Sequence, residues 1–241
     1  MTKALVTFAL KEEFDPWRRR HHFRPASLAQ HPFFVASIGN TEVYVTLVGA
    51  GAPAADRFQD AWAKLNPSLA IVTGVAAGLK PEWHAGDVLV AQSVTSPGGE
   101  SGMASDPRLL DLAVQCGAKV APRLLTLPRI ARTVSEKTRL ASLGDAADME
   151  SLLLMKQWSA HGIPSLALRV ILDPVDMPMT CDFEAAMDAD GQVQISRVLA
   201  QLAHGPHLLP GFLRLWWMSH RCLGTLARYL DKLFGFLDQT G

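Results

Sequence analysis

Runs of apolar residues alternate along the chain with turn-forming residues and with stretches of helical composition. The runs at residues 4–9, 69–73 and 165–172 are rich in aliphatic side chains, as is typical of buried strands. Residues 33–38 and 43–48 predict a β-hairpin, because the Gly-Asn pair between them tolerates the positive φ angles of a tight turn.

Helical composition follows several of these runs. Helices are predicted at residues 54–65 behind Pro53, at 107–116 and at 148–161, and a further strand at 87–91. Strands that alternate with helices predict an α/β sheet with right-handed crossovers. Ligands in such sheets bind where strands end, so residues directly after a strand are the first candidates for chemistry.

The composition narrows the classes of protein to which the chain can belong. Its 241 residues include 23 Lys and Arg against 23 Asp and Glu, and 49% are hydrophobic. These values indicate a globular chain, and the zero net charge argues against a nucleic-acid partner. No apolar run reaches about 18 residues, and the first residues lack the apolar region of a signal peptide. We therefore expect a cytoplasmic protein with reduced thiols (Cys116, Cys181, Cys222) and no bound metal.

Residues 207–238 combine basic and bulky apolar side chains. Arginines recur at a heptad interval from Arg214 to Arg228, Trp217 lies beside them, and leucines fill the remaining positions. One interpretation is a helix that packs on its own domain or in a dimer. The other is an amphipathic helix that lies on a membrane surface as a peripheral contact.

We divide the chain near residue 193. Residues 1–192 form the predicted catalytic domain, and residues 193–241 form a helical extension that packs on it, on a partner or on a membrane. Gly224 and Gly235 argue against one unbroken helix in this extension, because glycine disfavours helix interiors.

Acidic residues lie at or near the ends of predicted strands. Glu13, with Glu12 beside it, follows the first strand, Glu150 lies at a helix start, and Asp173 ends the strand at 165–172. Carboxylates that converge on one rim can bind hydroxyls, orient a water and donate a proton. Alternatively, Glu150 is a first-turn charge on its helix and Asp173 a turn former.

Four segments together resemble the nucleoside phosphorylase superfamily, which includes methylthioadenosine/adenosylhomocysteine nucleosidases. They are GAGA at residues 49–52, TGVAAGL at 73–79, DMES at 148–151 and LALRVILDPVD at 166–176. The resemblance implies a single-domain three-layer α/β sandwich with a mixed central sheet. It also implies a homo-oligomer, with a dimer favoured, that cleaves the N-ribosidic bond of a purine nucleoside.

The resemblance also implies a role for each matching residue. Asp173 would protonate or hydrogen-bond N7 of the leaving adenine, and Glu13 would orient a water. Glu150 would bind the ribose hydroxyls while Met149 packs against the sugar. The turn residues that would line the substrate are Val75, Ala76, Ala77 and Gly78.

Water and phosphate are alternative nucleophiles at this stage. A phosphate site uses arginines and backbone N–H groups at a glycine-rich turn, which Gly49, Gly51 and Arg57 would supply. The other interpretation of Arg57 is a solvated helix residue. Arg169 lies inside an apolar strand, where we expect a structural ion pair. No cofactor is expected besides phosphate as a co-substrate, and the lack of an arginine cluster favours water.

A narrower resemblance covers nearly the whole chain. DMES, DPVD at residues 173–176, DADGQV at 188–193 and LPGFLRL at 209–215 resemble the hopanoid-associated phosphorylases. This resemblance implies removal of adenine from adenosylhopane to give ribosylhopane. Alternatives are a methylthioadenosine/adenosylhomocysteine nucleosidase, another purine nucleoside phosphorylase, or a catalytically weak nucleoside-binding protein. The chain departs from the nucleosidase pattern at Val75, Ala77 and Leu172.

Overall fold

A mixed β-sheet organises the chain in the computed structural model, which describes residues 2–52, 55–99, 101–179 and 182–240. Within these residues ten strands share one sheet. They are β1 (Thr2–Phe8), β2 (Arg24–Leu28), β3 (His31–Ile38), β4 (Thr41–Leu47), β5 (Leu69–Gly78), β6 (Val88–Thr95), β7 (Met103–Ala104), β8 (Lys119–Thr126), β9 (Ala146–Asp148) and β10 (Ser165–Asp173).

The strand order is β10-β6-β8-β9-β5-β1-β4-β3-β2, with β7 paired to β6. The β1–β4, β1–β5, β5–β10, β6–β8 and β8–β9 pairs are parallel, and β2, β3 and β4 are joined by antiparallel pairing. Because β10 pairs with β5 as well as with β6, the strands β5, β9, β8, β6 and β10 close into a ring. The carboxyl ends of β5 and β10 therefore lie side by side.

Helices cover both faces of the sheet. They are α1 (Lys11–Arg18), α2 (Gln59–Leu65), α3 (Pro107–Gln115), α4 (Val134–Leu140), α5 (Ser151–Ala160), α6 (Phe183–Ala186), α7 (Ile195–His204) and α8 (Leu209–Thr240). Alternate residues of β1 and β5 enter two core clusters, one shared with α1, α3 and α8 and the other with α2 and α5. This arrangement confirms the predicted α/β class with a mixed sheet.

Most predicted elements are present with shifted bounds. The hairpin is confirmed, and Gly39 in its turn has a φ of +58°. The strands predicted at 69–73 and 87–91 continue to Gly78 and Thr95. The helix predicted from residue 148 begins at Ser151, because residues 146–148 form β9.

Other predicted features differ from the structure or lie outside the described residues. The segment between β6 and α3 contains the short strand β7. Pro53, Ala54 and Cys181 lie outside the described residues. Cys116 and Cys222 are buried free cysteines.

The expected break in the C-terminal helix is wrong. α8 runs without interruption from Leu209 to Thr240, through Gly224 and Gly235. Leu226, Leu230 and Phe234 are almost fully buried, so tertiary packing of this half outweighs the low helix propensity of glycine. α8 also lies on α1, where the Phe234 ring stacks on Trp17 with 5.5 Å between ring centroids.

Residues 18–22 are all Arg or His, and two of them pair with an acidic residue of the same helix. Asp231 of α8 accepts a hydrogen bond from Trp17 Nε1 at 2.9 Å and pairs with Arg20 at 2.5 Å and with His21 at 2.7 Å. Among the described residues, no helix combines the length and the apolar composition that crossing a membrane requires.

Candidate active site

A buried arginine forms the centre of the site. Arg169 lies in the middle of β10, opposite Gly74 of β5, and its side chain is 1% exposed. Its Nη2 lies 2.6 Å from Asp148 Oδ2 and 3.2 Å from Glu150 Oε2. The expected buried ion pair is thus present, and it involves two carboxylates. We call Arg169, Asp148, Glu150 and Glu13 the Arg169 centre.

Hydrogen bonds fix Asp148 within this centre. Thr126 Oγ1 donates to Asp148 Oδ1 at 2.7 Å, and the Ser151 hydroxyl donates to Asp148 Oδ2. Arg169 Nη2 also donates to Ser151 Oγ at 3.0 Å. Both carboxylate oxygens of Asp148 therefore have partners within a buried polar network.

Glu13 reaches the centre from α1, which begins directly after β1. Its Oε2 accepts hydrogen bonds from the backbone N–H groups of Ala9 and Leu10 at 3.0 and 3.1 Å. Its Oε1 accepts one from the N–H of Val75 at 2.9 Å. Glu12 is exposed, so of the two neighbouring glutamates it is Glu13 that the fold directs inward.

Gly74 allows Glu13 and Arg169 to approach each other. A Cβ atom at position 74 would lie 2.6 Å from Glu13 Oε1 and 2.9 Å from Arg169 Nη1. Gly74 also has a φ of +142°, which side chains rarely tolerate. Since both conditions require glycine, the second residue of the TGVAAGL segment is explained by close packing of the site.

Glu150 connects the centre to the glycine turn at residues 49–51. Its Oε1 accepts a hydrogen bond from the N–H of Gly51 at 2.9 Å. Met149 lies on the same side, with its Cε 3.7 Å from where a Cβ on Gly51 would be. Glu150 is 5% exposed and Met149 is half-buried.

Protein acceptors occupy the N–H groups of that turn. Gly49 N–H donates to the carbonyl of Ala9, and Ala50 N–H donates to the carbonyl of Gly191, each at 3.0 Å. Arg57 points instead to the protein surface, where its Nη2 donates to Asp190 at 2.9 Å and its side chain is 60% exposed. The segment at residues 188–193 therefore packs over the turn and engages Arg57.

A second buried cation holds Asp173. Lys137 of α4 has a fully buried side chain, and its Nζ lies 2.7 Å from Asp173 Oδ2. The same ammonium donates to the carbonyls of Pro174 at 3.0 Å and Met177 at 2.7 Å. Its three protons therefore have acceptors in Asp173 and in the loop that follows it.

The residues predicted to line the substrate alternate in direction along β5. Val75 and Ala77 are half-buried, whereas the side chain of Ala76 lies in the core cluster shared with α2 and α5. Gly78 is buried, and a Cβ there would lie 3.1 Å from Trp83 Cβ. Asp173 lies opposite Ala77 in the β5–β10 register.

Burial is the main influence on the carboxyl groups. It raises the pKa of Asp173 to about 6, although Lys137 acts in the opposite direction. Burial also raises the pKa of Glu13 and of Glu150 above their ordinary values, against the lowering effect of Arg169. These are carboxyl groups that can hold a proton closer to neutral pH than exposed ones do.

The sequence pattern does not indicate that two of the residues, Lys137 and Asp148, belong to the site. Lys137 lies in a short polar helix, and Asp148 lies at the predicted start of a helix, where an acidic residue is an ordinary cap. Arg169 was recognisable as a buried charge, but its place between Glu150 and Asp148 depends on strand pairing. Among the described residues, no group of three or more His, Cys, Asp or Glu side chains is arranged to hold a metal.

A cleft of about 300 Å³ lies beside Pro174, the residue after Asp173. Pro81 and Trp83 from the segment after β5 line one part of it, and Arg214 and Met218 of α8 line another. The cleft thus connects the surroundings of Asp173 with the first turns of the C-terminal helix.

The mixed sheet, its two helical layers and a charged site at the strand ends define an α/β protein with the fold of nucleosidases. A methylthioadenosine/S-adenosylhomocysteine nucleosidase of Campylobacter jejuni has the same fold, with a TM-score of 0.72, 16% identity and coverage of 99% of both chains. The futalosine hydrolase of Helicobacter pylori matches with a TM-score of 0.73, 16% identity and 98% coverage of both chains.

The model of the phosphorylase superfamily matches residues 3–204. The chain belongs to this superfamily. No curated protein matches the chain in sequence.

Proposed function

We propose that the chain cleaves the N-ribosidic bond of an adenosine-containing substrate with water as the nucleophile and releases adenine. The observation that carries the proposal is the Arg169 centre, where one buried guanidinium faces three carboxyl groups. Asp173, four residues along the same strand, supplies a carboxyl whose pKa is raised to about 6.

The two parts of the site match the two charges that this reaction creates. Bond cleavage builds positive charge on the sugar and negative charge on the leaving base. The carboxyl groups of Glu13, Asp148 and Glu150 outnumber the Arg169 guanidinium, which favours a cationic sugar. Protonated Asp173 donates its proton to N7 of adenine and so neutralises the base as it leaves.

Water is favoured over phosphate by the partners of the glycine turn. The N–H groups of residues 49, 50 and 51 bind protein acceptors, and Arg57 binds Asp190. Within the described part of the chain, the buried Nε of Arg169 donates to no protein acceptor, and we propose that it holds the attacking water. Glu13 Oε1, near Arg169 Nη1 at Gly74, orients that water.

The substrate we propose is an adenosine with a bulky apolar 5′ group, as in adenosylhopane, which would give ribosylhopane. Support comes from the DADGQV segment of the narrower resemblance, which packs over the glycine turn next to Glu150. Val75 and Leu172 also make the surroundings apolar where related nucleosidases are expected to have hydroxyls. Methylthioadenosine is the second candidate, favoured by the likeness to the nucleosidase of Campylobacter jejuni.

The proposal is tested by measuring free adenine released by the full chain from adenosylhopane, methylthioadenosine and adenosylhomocysteine, each with and without inorganic phosphate. We expect release from adenosylhopane without phosphate and a free ribose hydroxyl in the product. Release from methylthioadenosine alone would reject the lipid substrate. A strict need for phosphate, with a sugar phosphate as product, would reject water as the nucleophile.

A matched pair of variants tests the role of Glu150. Glu150→Gln should lose most adenine release, because the ribose hydroxyls lose a charged acceptor. Glu12→Gln changes an exposed neighbour of Glu13 in the same way and should retain activity. Adenosine binding by the unaltered chain without any turnover would instead favour a nucleoside-binding protein.

A further inference from the structure

The first turns of α8 expose large apolar side chains. Of the eleven large apolar side chains exposed among the described residues, six lie between Ile195 and Trp217. Four of them, which we call the tail patch, are on α8: Leu209, Leu213, Trp216 and Trp217, each 45–54% exposed. Their spacing places them on one face of the helix.

Basic residues flank the tail patch. Residues 195–230 contain no Asp or Glu, and Arg214, His220 and Arg221 lie next to the patch along α8. The Arg221 guanidinium lies 4.6 Å from the centre of the Trp217 ring, a cation–π contact that keeps charge and aromatic surface together. A partner of this surface must therefore offer negative charge for the arginines and an apolar environment for the tryptophan rings.

The patch is part of a firmly anchored helix. Leu215, on the opposite side of the same turns, is 5% exposed, and the helix continues into the buried segment around Leu226 and Leu230. Because buried residues hold this helix in place, the face that carries Trp216 and Trp217 is held towards the solvent.

We infer that the tail patch binds the surface of an anionic lipid bilayer. Tryptophan and leucine enter the boundary between headgroups and acyl chains, while arginines pair with lipid phosphates. A second copy of this chain is a poor occupant, because residues 195–230 supply arginines beside the patch and no carboxylate that could pair with those of the other copy. Arg214, at the border of the patch, also lines the cleft beside Pro174.

Intrinsic fluorescence gives a selective measurement. Trp17, Trp62, Trp83 and Trp158 are at most 6% exposed, whereas Trp216 and Trp217 are 53% and 54% exposed. Quenching by a soluble quencher such as acrylamide therefore reports mainly on the tail patch. With vesicles of phosphatidylcholine and phosphatidylglycerol, we expect protection from acrylamide and quenching by brominated acyl chains.

Flotation of the full chain with the same vesicles measures binding directly. We expect binding to the mixed vesicles, loss of binding in high salt, and little binding to phosphatidylcholine alone. Arg214→Gln with Arg221→Gln should weaken partitioning by about tenfold or more. Trp216→Ser with Trp217→Ser should abolish it.

Point variants are needed because removing α8 would also remove core residues such as Phe234. The matched control is Val114→Ser with Val120→Ser, two exposed apolar residues on α3 and β8, which should bind vesicles like the unaltered chain. Equal binding by the tryptophan variant, or no flotation of the unaltered chain, would overturn the inference.

Sedimentation without lipid measures the oligomeric state and so tests whether a second copy of the chain covers the tail patch. We expect the same oligomeric state for the unaltered chain and for the Trp216→Ser, Trp217→Ser variant. A dissociation caused by these substitutions would show that a second copy covers the patch and would overturn the inference. None of these measurements depends on adenine release, so they are independent of the proposed function.

Discussion

Two buried cations bind the acidic residues of the site, and they differ in the number of carboxyl groups around them. Arg169 is surrounded by Glu13, Asp148 and Glu150, so carboxyl groups outnumber cations around it. Lys137 faces a single carboxyl, Asp173, and its remaining protons bind backbone carbonyls. The first arrangement suits stabilisation of a positive charge, and the second suits exchange of one proton.

The difference follows from the chemistry of the two side chains. A guanidinium keeps its charge and offers several donors in a plane, so it can bind several carboxylates at once. An ammonium is a compact charge with three donors, and here it closes a loop against the end of β10. Burial raises the pKa of the carboxyl groups in both places. Asp173 is the single carboxyl partner of Lys137, whereas Glu150 shares Arg169 with other carboxyl groups.

The largest expected effect belongs to Asp173, the proposed proton donor. Asp173→Asn should lower adenine release by about 10²–10⁴-fold, because an amide cannot supply the proton. The neutral amide also removes the ion pair with Lys137, so the free energy of unfolding must be measured in urea alongside the rate. Asp111→Asn, an exposed change on α3, is the control. A rate within tenfold of the unaltered chain would show that Asp173 does not protonate the base.

The next effect is on stability. Arg169→Met should lower the free energy of unfolding by about 3–5 kcal/mol, because three buried carboxyl groups lose their common cation. Arg139→Met removes an exposed arginine and should change it by less than about 0.5 kcal/mol. Urea unfolding of both variants measures the difference, and equal midpoints would contradict the central role of Arg169.

Lys137→Met should have a smaller effect on stability than Arg169→Met. Asp173 can take up a proton and become neutral, so the remaining cost is that of backbone carbonyls without a donor, about 1–3 kcal/mol. Urea unfolding of the two variants at the same pH tests this order.

The pH profile of Lys137→Met tests whether Lys137 is a positioning residue for Asp173. Donation requires protonated Asp173, so kcat/KM should fall as pH rises through about 6. The ammonium favours the ionised carboxylate and thereby lowers its pKa, so removing it should move this fall to higher pH. A lower rate with an unmoved profile would mean that Lys137 only supports the loop. Lys119→Met, an exposed change, should keep both rate and profile.

The acidic residues of the site could be predicted in part from the sequence, because the strand ends were recognisable. Glu13 and Asp173 lie at the ends of apolar runs, and parallel strands bring such ends to one edge of a sheet. Arg169 was recognisable as a charge that needs a partner. The choice of Glu13 over Glu12 required the structure, because only the direction of α1 makes one of them buried.

The role of Lys137 could not be predicted, for a physical reason. Its burial depends on the loop after β10, which lies 36 to 40 residues away in sequence, and short polar helices show no sign of such contacts. The unbroken course of α8 is a similar case. The sequence shows only the low helix propensity of Gly224 and Gly235. Tertiary packing around Phe234 outweighs it.

The smallest effect is expected at the third cation near the site. Arg57 is exposed and bound to Asp190, so Arg57→Gln should leave adenine release within about twofold, with or without phosphate. Surface ion pairs contribute little to stability, so its urea midpoint should also stay unchanged. The assay is adenine release at several phosphate concentrations. A loss of phosphate-dependent turnover would show that Arg57 leaves Asp190 to bind phosphate, and that the glycine turn serves a phosphorylase.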